Sequence, residues 1–395
     1  MPLESIRPIP TILALSLALT APGAVAFEFP KLSSPAAQAV PPDVIAEYRR
    51  KLKVYQEARA AYYAEADTYW ASIVEKRRGR NAKRRAHEAT TLDDYVLTQP
   101  PVYVGPKRPV NPAPETEPQP PERPRDQKYV PVVTDLLKAA AEYYQWAPER
   151  PVNDIDFKRA YARFALSAGL TRQQAVRVYA FETGGNGTHA SQSGFHGTHA
   201  ISTAVGYNQL LTTNSVELLA EQGEGFVRIL SQRAVNLSGA ARRTMDQKIA
   251  VLQKMVAMAR SVPDDWSEHE KIGDTPKGWA LHAMVLDIDV GPMLQTHKLL
   301  TSVQFARERG FARPLTAAEL EMMNLTGDGT GLDMVTMPQP MREQVATANF
   351  FQRSGYERNP VASHYNTVAK LLAITDQRMD ANAMQPGAKE LAAAF

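Results

Sequence analysis

Glu182 ends a helical pattern, and no Asp, Glu, Lys or Arg follows it until Glu217. The intervening stretch is rich in Gly, Thr, Ser, His, Asn and Gln. A lone carboxyl facing a neutral, hydroxyl-rich segment suits acid/base work on an uncharged polar substrate such as a sugar. Delivering a proton to a glycosidic oxygen at neutral pH requires a carboxyl whose pKa is raised by desolvation. Tyr179 and Phe181 can supply apolar cover, and the negative pole of a helix C-terminus further disfavours the ionised form. A glycosidase of ordinary type needs a second carboxylate. None lies in residues 183–216, so it would come from a distant segment, with Asp287, Asp289, Asp328 and Asp333 as possible donors. The alternative is a reaction in which the substrate supplies its own nucleophile.

The elements that must position Glu182 read as helices. Thr171-Arg-Gln-Gln174 has the form of a capping box that opens a helix, and Gly184-Gly185 would close it. Helices are also expected near 134–146, 156–168, 214–221, 244–260, 293–309, 316–324, 341–352 and 361–379, and Thr316-Ala-Ala-Glu319 forms a second capping box. Thr326-Gly-Asp-Gly-Thr-Gly reads as a turn, since it lacks the acidic residues that a calcium loop needs at its ends. No run of alternating strands is long enough for a large sheet.

The 395-residue chain carries a net charge of only +3 and no cysteine, which excludes disulfides, thiolate nucleophiles and Cys-ligated zinc. Residues 1–26 have the pattern of a secretory signal: Arg7, an apolar run from Ile12 to Leu19, and Ala24-Val25-Ala26 as a cleavage site. Removal after Ala26 would deliver a periplasmic protein. Residues 27–90 combine a leader linker with a long helical arm, whose stripe of Ile45, Tyr48, Leu52, Tyr55, Tyr62, Ala66, Tyr69 and Ile73 follows 3-4 spacing. That stripe over 43–75 suits either self-association or packing on the chain's own body. The basic cluster Lys76–Arg85 suggests contact with an anionic envelope surface rather than nucleic acid, or simply a solvated helix end. Ten prolines between 100 and 124 mark residues 91–127 as a linker. Residues 128–390 then form the catalytic body with a helical C-terminal extension.

Phe181-Glu182-Thr183-Gly-Gly followed by Ser202-Thr-Ala-Val-Gly206-Tyr207-Asn-Gln209 resembles the soluble lytic transglycosylases and goose-type lysozymes. In that family a helix ends in Glu-Ser and a Gly-x-x-Gln motif follows. The resemblance covers about Val132 to Glu221. It implies a mainly α, lysozyme-like domain with a small β region near 200–212. It also implies Glu182 as the catalytic acid/base, and Thr183, Gly206, Tyr207 and Gln209 as substrate-binding residues, with no cofactor. Thr183 stands where the family usually has Ser and keeps the hydroxyl. Tyr365, in His364-Tyr365-Asn366, is the candidate for the family's Tyr-Asn motif, far downstream and without the usual Ala-Gly. The implied reaction cuts the MurNAc-GlcNAc bond of peptidoglycan with one Glu.

Two other readings compete with this one. His189, His196 and His199 with Glu182 could hold zinc for a cell-wall amidase or peptidase. A non-catalytic scaffold could use the same domain to bind glycan.

Overall fold

The computed structural model describes residues 40–113, 129–196 and 199–395. The signal pattern of 1–26, most of the leader and residues 114–127 of the proline-rich segment lie outside the described residues. Among the described residues the fold is mainly helical, with one two-stranded ribbon. No described helix is long and apolar enough to cross a membrane.

A 44-residue helix, α1 (Pro42–Arg85), comes first. After it, α2 (Val133–Tyr144) and α3 (Asp154–Ala168) precede α4 (Arg172–Thr183). Asn153 caps α3 through the backbone N–H of Asp156, and Gly169 stops it in the left-handed conformation. The ribbon pairs β1 (Phe195–His196) with β2 (His199–Ala200) in antiparallel register. Isolated bridges Gln192–Val205 and Val205–Leu210 extend this small β region.

Two long helices, α5 (Thr212–Ala234) and α6 (Gly239–Ala259), then pack face to face. Short helices α7 (Trp266–Gly273) and α8 (Pro276–His282) lead into α9 (Val290–Glu308). Side-chain caps from Asp265 and Thr275 open the two short ones. Next come α10 (Ala317–Thr326), α11 (Asp328–Thr336) and α12 (Gln339–Arg342). The chain closes with α13 (Arg353–Arg358), α14 (Pro360–His364), α15 (Val368–Ala383) and α16 (Pro386–Ala394).

Burial divides the interior into three apolar clusters. One joins α2, α5, α6 and α8; a second joins α3, α4, α10, α15 and α16. Helix α9 serves both: Val290, Met293 and Leu294 enter the first, while Leu299, Leu300, Val303 and Ala306 enter the second. Lys298 sits between those two sets, so any opening beside it falls at the junction of the two cores.

The third cluster sets Ala66, Trp70 and Ile73 of α1 against Met322, Met334, Val345, Phe350 and Tyr356. The stripe of α1 is therefore used, in this part, against the chain's own C-terminal region. Five side chains of the basic cluster are engaged there as well. Arg77 donates to the carbonyls of Asn349 and Phe351, and buried Arg80 to those of Asp94 and Asn349. Lys83 pairs with Asp94, Arg84 with Asp333, and Lys76 donates to the Asp93 carbonyl. Arg78 and Arg85 stay exposed. Residues 95–99 are tied to the same region. Tyr95 is buried, Asn349 exchanges hydrogen bonds with the Val96 backbone, and Gln99 reaches the Asn366 carbonyl.

Three expected elements differ. The 341–352 helix is interrupted because Val345 and Thr347 pair with the backbone of 366–368, at 3.1 Å in each bond. That pairing also delays the last long helix, which starts at Val368 with Thr367 as its cap. The Gly-rich 326–333 stretch, expected as a turn, instead forms most of α11. Gly331 permits this because a Cβ there would lie 2.4 Å from the Met323 backbone.

Candidate active site

Helix α4 carries Glu182 in its last turn. Its start is fixed by the Thr171/Gln174 capping box, in which Thr171 Oγ1 accepts from the Gln174 N–H and Gln174 Oε1 accepts from the Thr171 N–H. Gly184, in the left-handed conformation, stops it. Gly185 is required for a different reason: a Cβ there would lie 2.2 Å from the Asn382 carbonyl of α15. The two glycines thus end the helix and let its end press against the C-terminal helices, which holds Glu182 in place.

Glu182 is half-buried, with protein on nearly all sides. Asn324 of α10 donates its Nδ2–H to Glu182 Oε1 at 3.2 Å. Glu321, one helical turn before Asn324, is fully buried beside Glu182. Lys298 of α9 faces both carboxyls and also donates to Asn214 Oδ1 at 3.0 Å. Burial pushes the Glu182 carboxyl up to about 7, opposed by the Lys298 charge and by hydrogen bonds from Glu321 and Asn324. Burial raises Glu321 well above its ordinary value, and a charge on Glu182 adds to that rise. Lys298 is pulled below its ordinary value by burial, against the attraction of Glu182, Glu217, Glu321 and Asp328.

In front of this group lies a cleft of about 390 Å³. Its lining includes Asn214, Glu217, Trp266, Lys298, Asn324 and Asp328. Glu182 is not part of that lining; it is tied to it through the hydrogen bond from Asn324. Burial raises Glu217 to about 7, with a contribution from the Glu221 charge. Asp328 is also raised by burial while it accepts a hydrogen bond from Ser302 at 2.5 Å. Trp266 is 45% exposed, which leaves an indole face available at the mouth.

Not all of the sequence candidates meet here. The Thr183 hydroxyl donates to the Tyr179 carbonyl, a bond within α4. Gly206 has φ +87°, and a Cβ there would strike the Gln295 amide at 2.0 Å, so its role is close packing on α9. Tyr207 is fully buried, its hydroxyl donating to Asp154 Oδ2 at 3.0 Å. Gln209 uses its amide to hold its own loop: Nε2 donates to the carbonyls of Ser191 and Gly206, and Oε1 accepts from the Ser193 N–H. Tyr365 is the C-cap residue of α14, its ring edge-on to His364, and its described contacts lie there rather than at Glu182.

Of the distant carboxylates considered as partners, Asp328 reaches the cleft. Asp287 and Asp289 bind the buried Lys248, and Asp333 binds Arg84. His189 is buried, stacked on Phe157, with Nδ1 3.1 Å from Asp154 Oδ1. The side chains of His196 and His199 lie outside the description. Among the described residues no group of three His, Asp or Glu side chains is arranged to hold a metal.

Glu321, Asn324, Lys298, Glu217 and Trp266 were not singled out by the sequence. One signal was available: Leu320-Glu321-Met-Met-Asn324-Leu325 places a carboxyl and an amide one turn apart within an otherwise apolar run.

Compared with family models, curated proteins and solved structures, the chain matches none of the three.

Proposed function

We propose that this chain cleaves peptidoglycan glycan strands as a lytic transglycosylase, with Glu182 as its single acid/base. The observation that carries the reading is a carboxyl at the end of α4, raised by burial to about 7 and hydrogen-bonded to Asn324, which lines a polar cleft with an exposed indole. A carboxyl so poised is protonated often enough to donate and basic enough to accept near neutral pH. Trp266 offers a flat apolar face of the kind that stacks on a sugar ring, and Asn214 and Asn324 offer amides for its hydroxyls.

In the proposed reaction Glu182 transfers its proton to the glycosidic oxygen as the bond from that oxygen to the MurNAc C1 breaks. The GlcNAc side leaves as an alcohol. The Glu182 carboxylate then takes the proton of the muramoyl 6-hydroxyl while that oxygen bonds to C1. The product is an anhydro sugar, water is not consumed, and Glu182 regains its starting form. Lys298 and Asn324 stabilise the carboxylate between the two steps. Export through residues 1–26 would bring the chain to this substrate in the periplasm.

The resemblance around Glu182-Thr-Gly-Gly and Gly206-x-x-Gln209 supports a lysozyme-like assignment of the region that holds the site. The test is release of soluble muropeptides from purified sacculi by the chain lacking residues 1–26. An absence of release, with the protein folded, would overturn the proposal.

A further inference from the structure

Glu321 is the buried group that the reaction above leaves unused. It is fully enclosed on α10 between Leu320, Met322 and Met323, which all enter the core. Neither of its carboxyl oxygens accepts a hydrogen bond of good geometry. Asn324, one turn along, gives its Nδ2–H to Glu182 at 3.2 Å and offers Glu321 only a weaker interaction, which opposes the rise that burial causes. An ionised carboxylate in that position would be a buried charge with no donor of good geometry, which is a costly arrangement in a protein interior. A protonated carboxyl resolves the difficulty, because its O–H can donate to the neighbouring Glu182.

The surroundings agree from each element packed against α10. Helix α4 presents Glu182, and α9 presents Lys298. On α11, Asp328 is occupied by Ser302. On α15, Asp376 and Asp380 are paired with Arg177 of α4. Among the described residues Lys298 is the cation acting on Glu321, and it also acts on Glu182, Glu217 and Asp328. A single cation among four carboxyls cannot hold all of them ionised, and the most deeply buried gives way first.

We propose that Glu321 is a neutral carboxylic acid that donates its proton in a hydrogen bond to Glu182 and so stabilises the Glu182 anion. Glu321 acts as a positioning residue and touches no substrate. Its O–H and the Asn324 N–H are two donors converging on one carboxyl, so the anion formed after proton delivery is received by groups already in place. The assignment of a catalytic purpose rests on the glycan-cleaving reading; the protonation state and the hydrogen bond do not.

The experiment is a carbon-13 carboxyl NMR titration of the glutamate-labelled chain from pH 4 to 9, on wild type, Glu182→Gln, Glu321→Gln and Glu321→Met. Circular dichroism checks the fold of each. The expected result is a resonance titrating near 7 that disappears in Glu182→Gln. A second resonance, absent from Glu321→Gln, should stay in its protonated position throughout the Glu182 transition. Gln keeps a neutral donor, so Glu321→Gln should leave the Glu182 midpoint within about half a unit. Met removes the donor and should raise it by about a unit, equivalent to roughly tenfold in the ionisation constant. If Glu321 were ionised, Glu321→Gln would remove a negative neighbour and lower the Glu182 midpoint by a unit or more, which overturns the proposal. Should Glu321→Met misfold, the Gln variant alone still decides between these outcomes. Sacculus digestion with the same proteins separates the two claims. Expected midpoints without any glycan release would retain the neutral Glu321 and reject the enzymatic reading.

Discussion

Asn324 reaches Glu182 across 142 residues of sequence, its Nδ2–H bonded to Oε1 at 3.2 Å. That bond joins the C-terminal turn of α4 to the face of α10 that also carries Glu321. It makes the acid/base candidate dependent on a part of the chain beyond the motifs around residues 182–209.

Replacing Asn324 with Leu removes a donor to the Glu182 anion. The Glu182 midpoint should rise from about 7, moving the alkaline limb of the pH-rate profile upward. Maximal cleavage should fall several-fold, because the transient carboxylate loses a stabilising group. An Asn324→Leu profile superimposable on wild type would mean that the bond is incidental.

Stability should depend on pH through Glu182 and Glu217, both raised by burial from 4.5 to about 7. A carboxyl with a folded pKa above its unfolded value contributes stability fully below about pH 4.5 and loses it as pH rises through 7. The melting temperature should therefore decline between pH 5 and 8. The double variant Glu182→Gln/Glu217→Gln should flatten that decline and be more stable than wild type at pH 8. A wild-type curve that rises over this interval would contradict the buried, neutral-leaning state of these groups.

Trp266 should matter for binding more than for chemistry. Trp266→Ala removes the exposed indole at the mouth of the cleft and should weaken glycan affinity roughly tenfold, about 1.4 kcal/mol. Folding stability should change little, since the ring is 45% exposed. Titration of the Glu182→Gln protein with soluble glycan fragments measures this without turnover; unchanged affinity would remove Trp266 from the site.

Helix α1 should remain attached after the connection is cut. Trp70, Ile73, Arg80 and the Arg84–Asp333 pair hold it to the C-terminal region. A protease site inserted between residues 114 and 128 should yield two fragments that co-elute on gel filtration. Trp70→Ala, which empties a buried site against Tyr356, should cost about 3–5 kcal/mol and release the helix. Separation of the wild-type fragments would show the docking to be too weak to hold.

Local signals made much of the local structure legible. Caps at Thr171 and Thr316 and the stop at Gly184-Gly185 mark helix ends through hydrogen bonds made within a few residues, so the sequence carries them directly. The interruption at 345–347 depends on pairing with 366–368, a contact that no window of sequence reports. The same distinction separates the site residues. Glu182 announces itself by its helix end and the neutral stretch after it. Glu321, Lys298 and Glu217 become neighbours because α10, α9 and α5 cross at the junction of two cores, and their periodicity alone reads as ordinary core-facing helix. The basic cluster illustrates the converse: charge density is visible in sequence, while the carbonyls of Asn349 and Phe351 that occupy Arg77 and Arg80 are not.

The most direct test of the central claim is mass spectrometry of the products formed from purified peptidoglycan by the chain lacking residues 1–26, beside its Glu182→Gln variant. The account predicts muropeptides ending in 1,6-anhydro sugar from the first and at least ~10²-fold less from the second, at unchanged melting temperature near pH 5. Equal product from both proteins, or free stem peptides that vanish with a chelator, would contradict it.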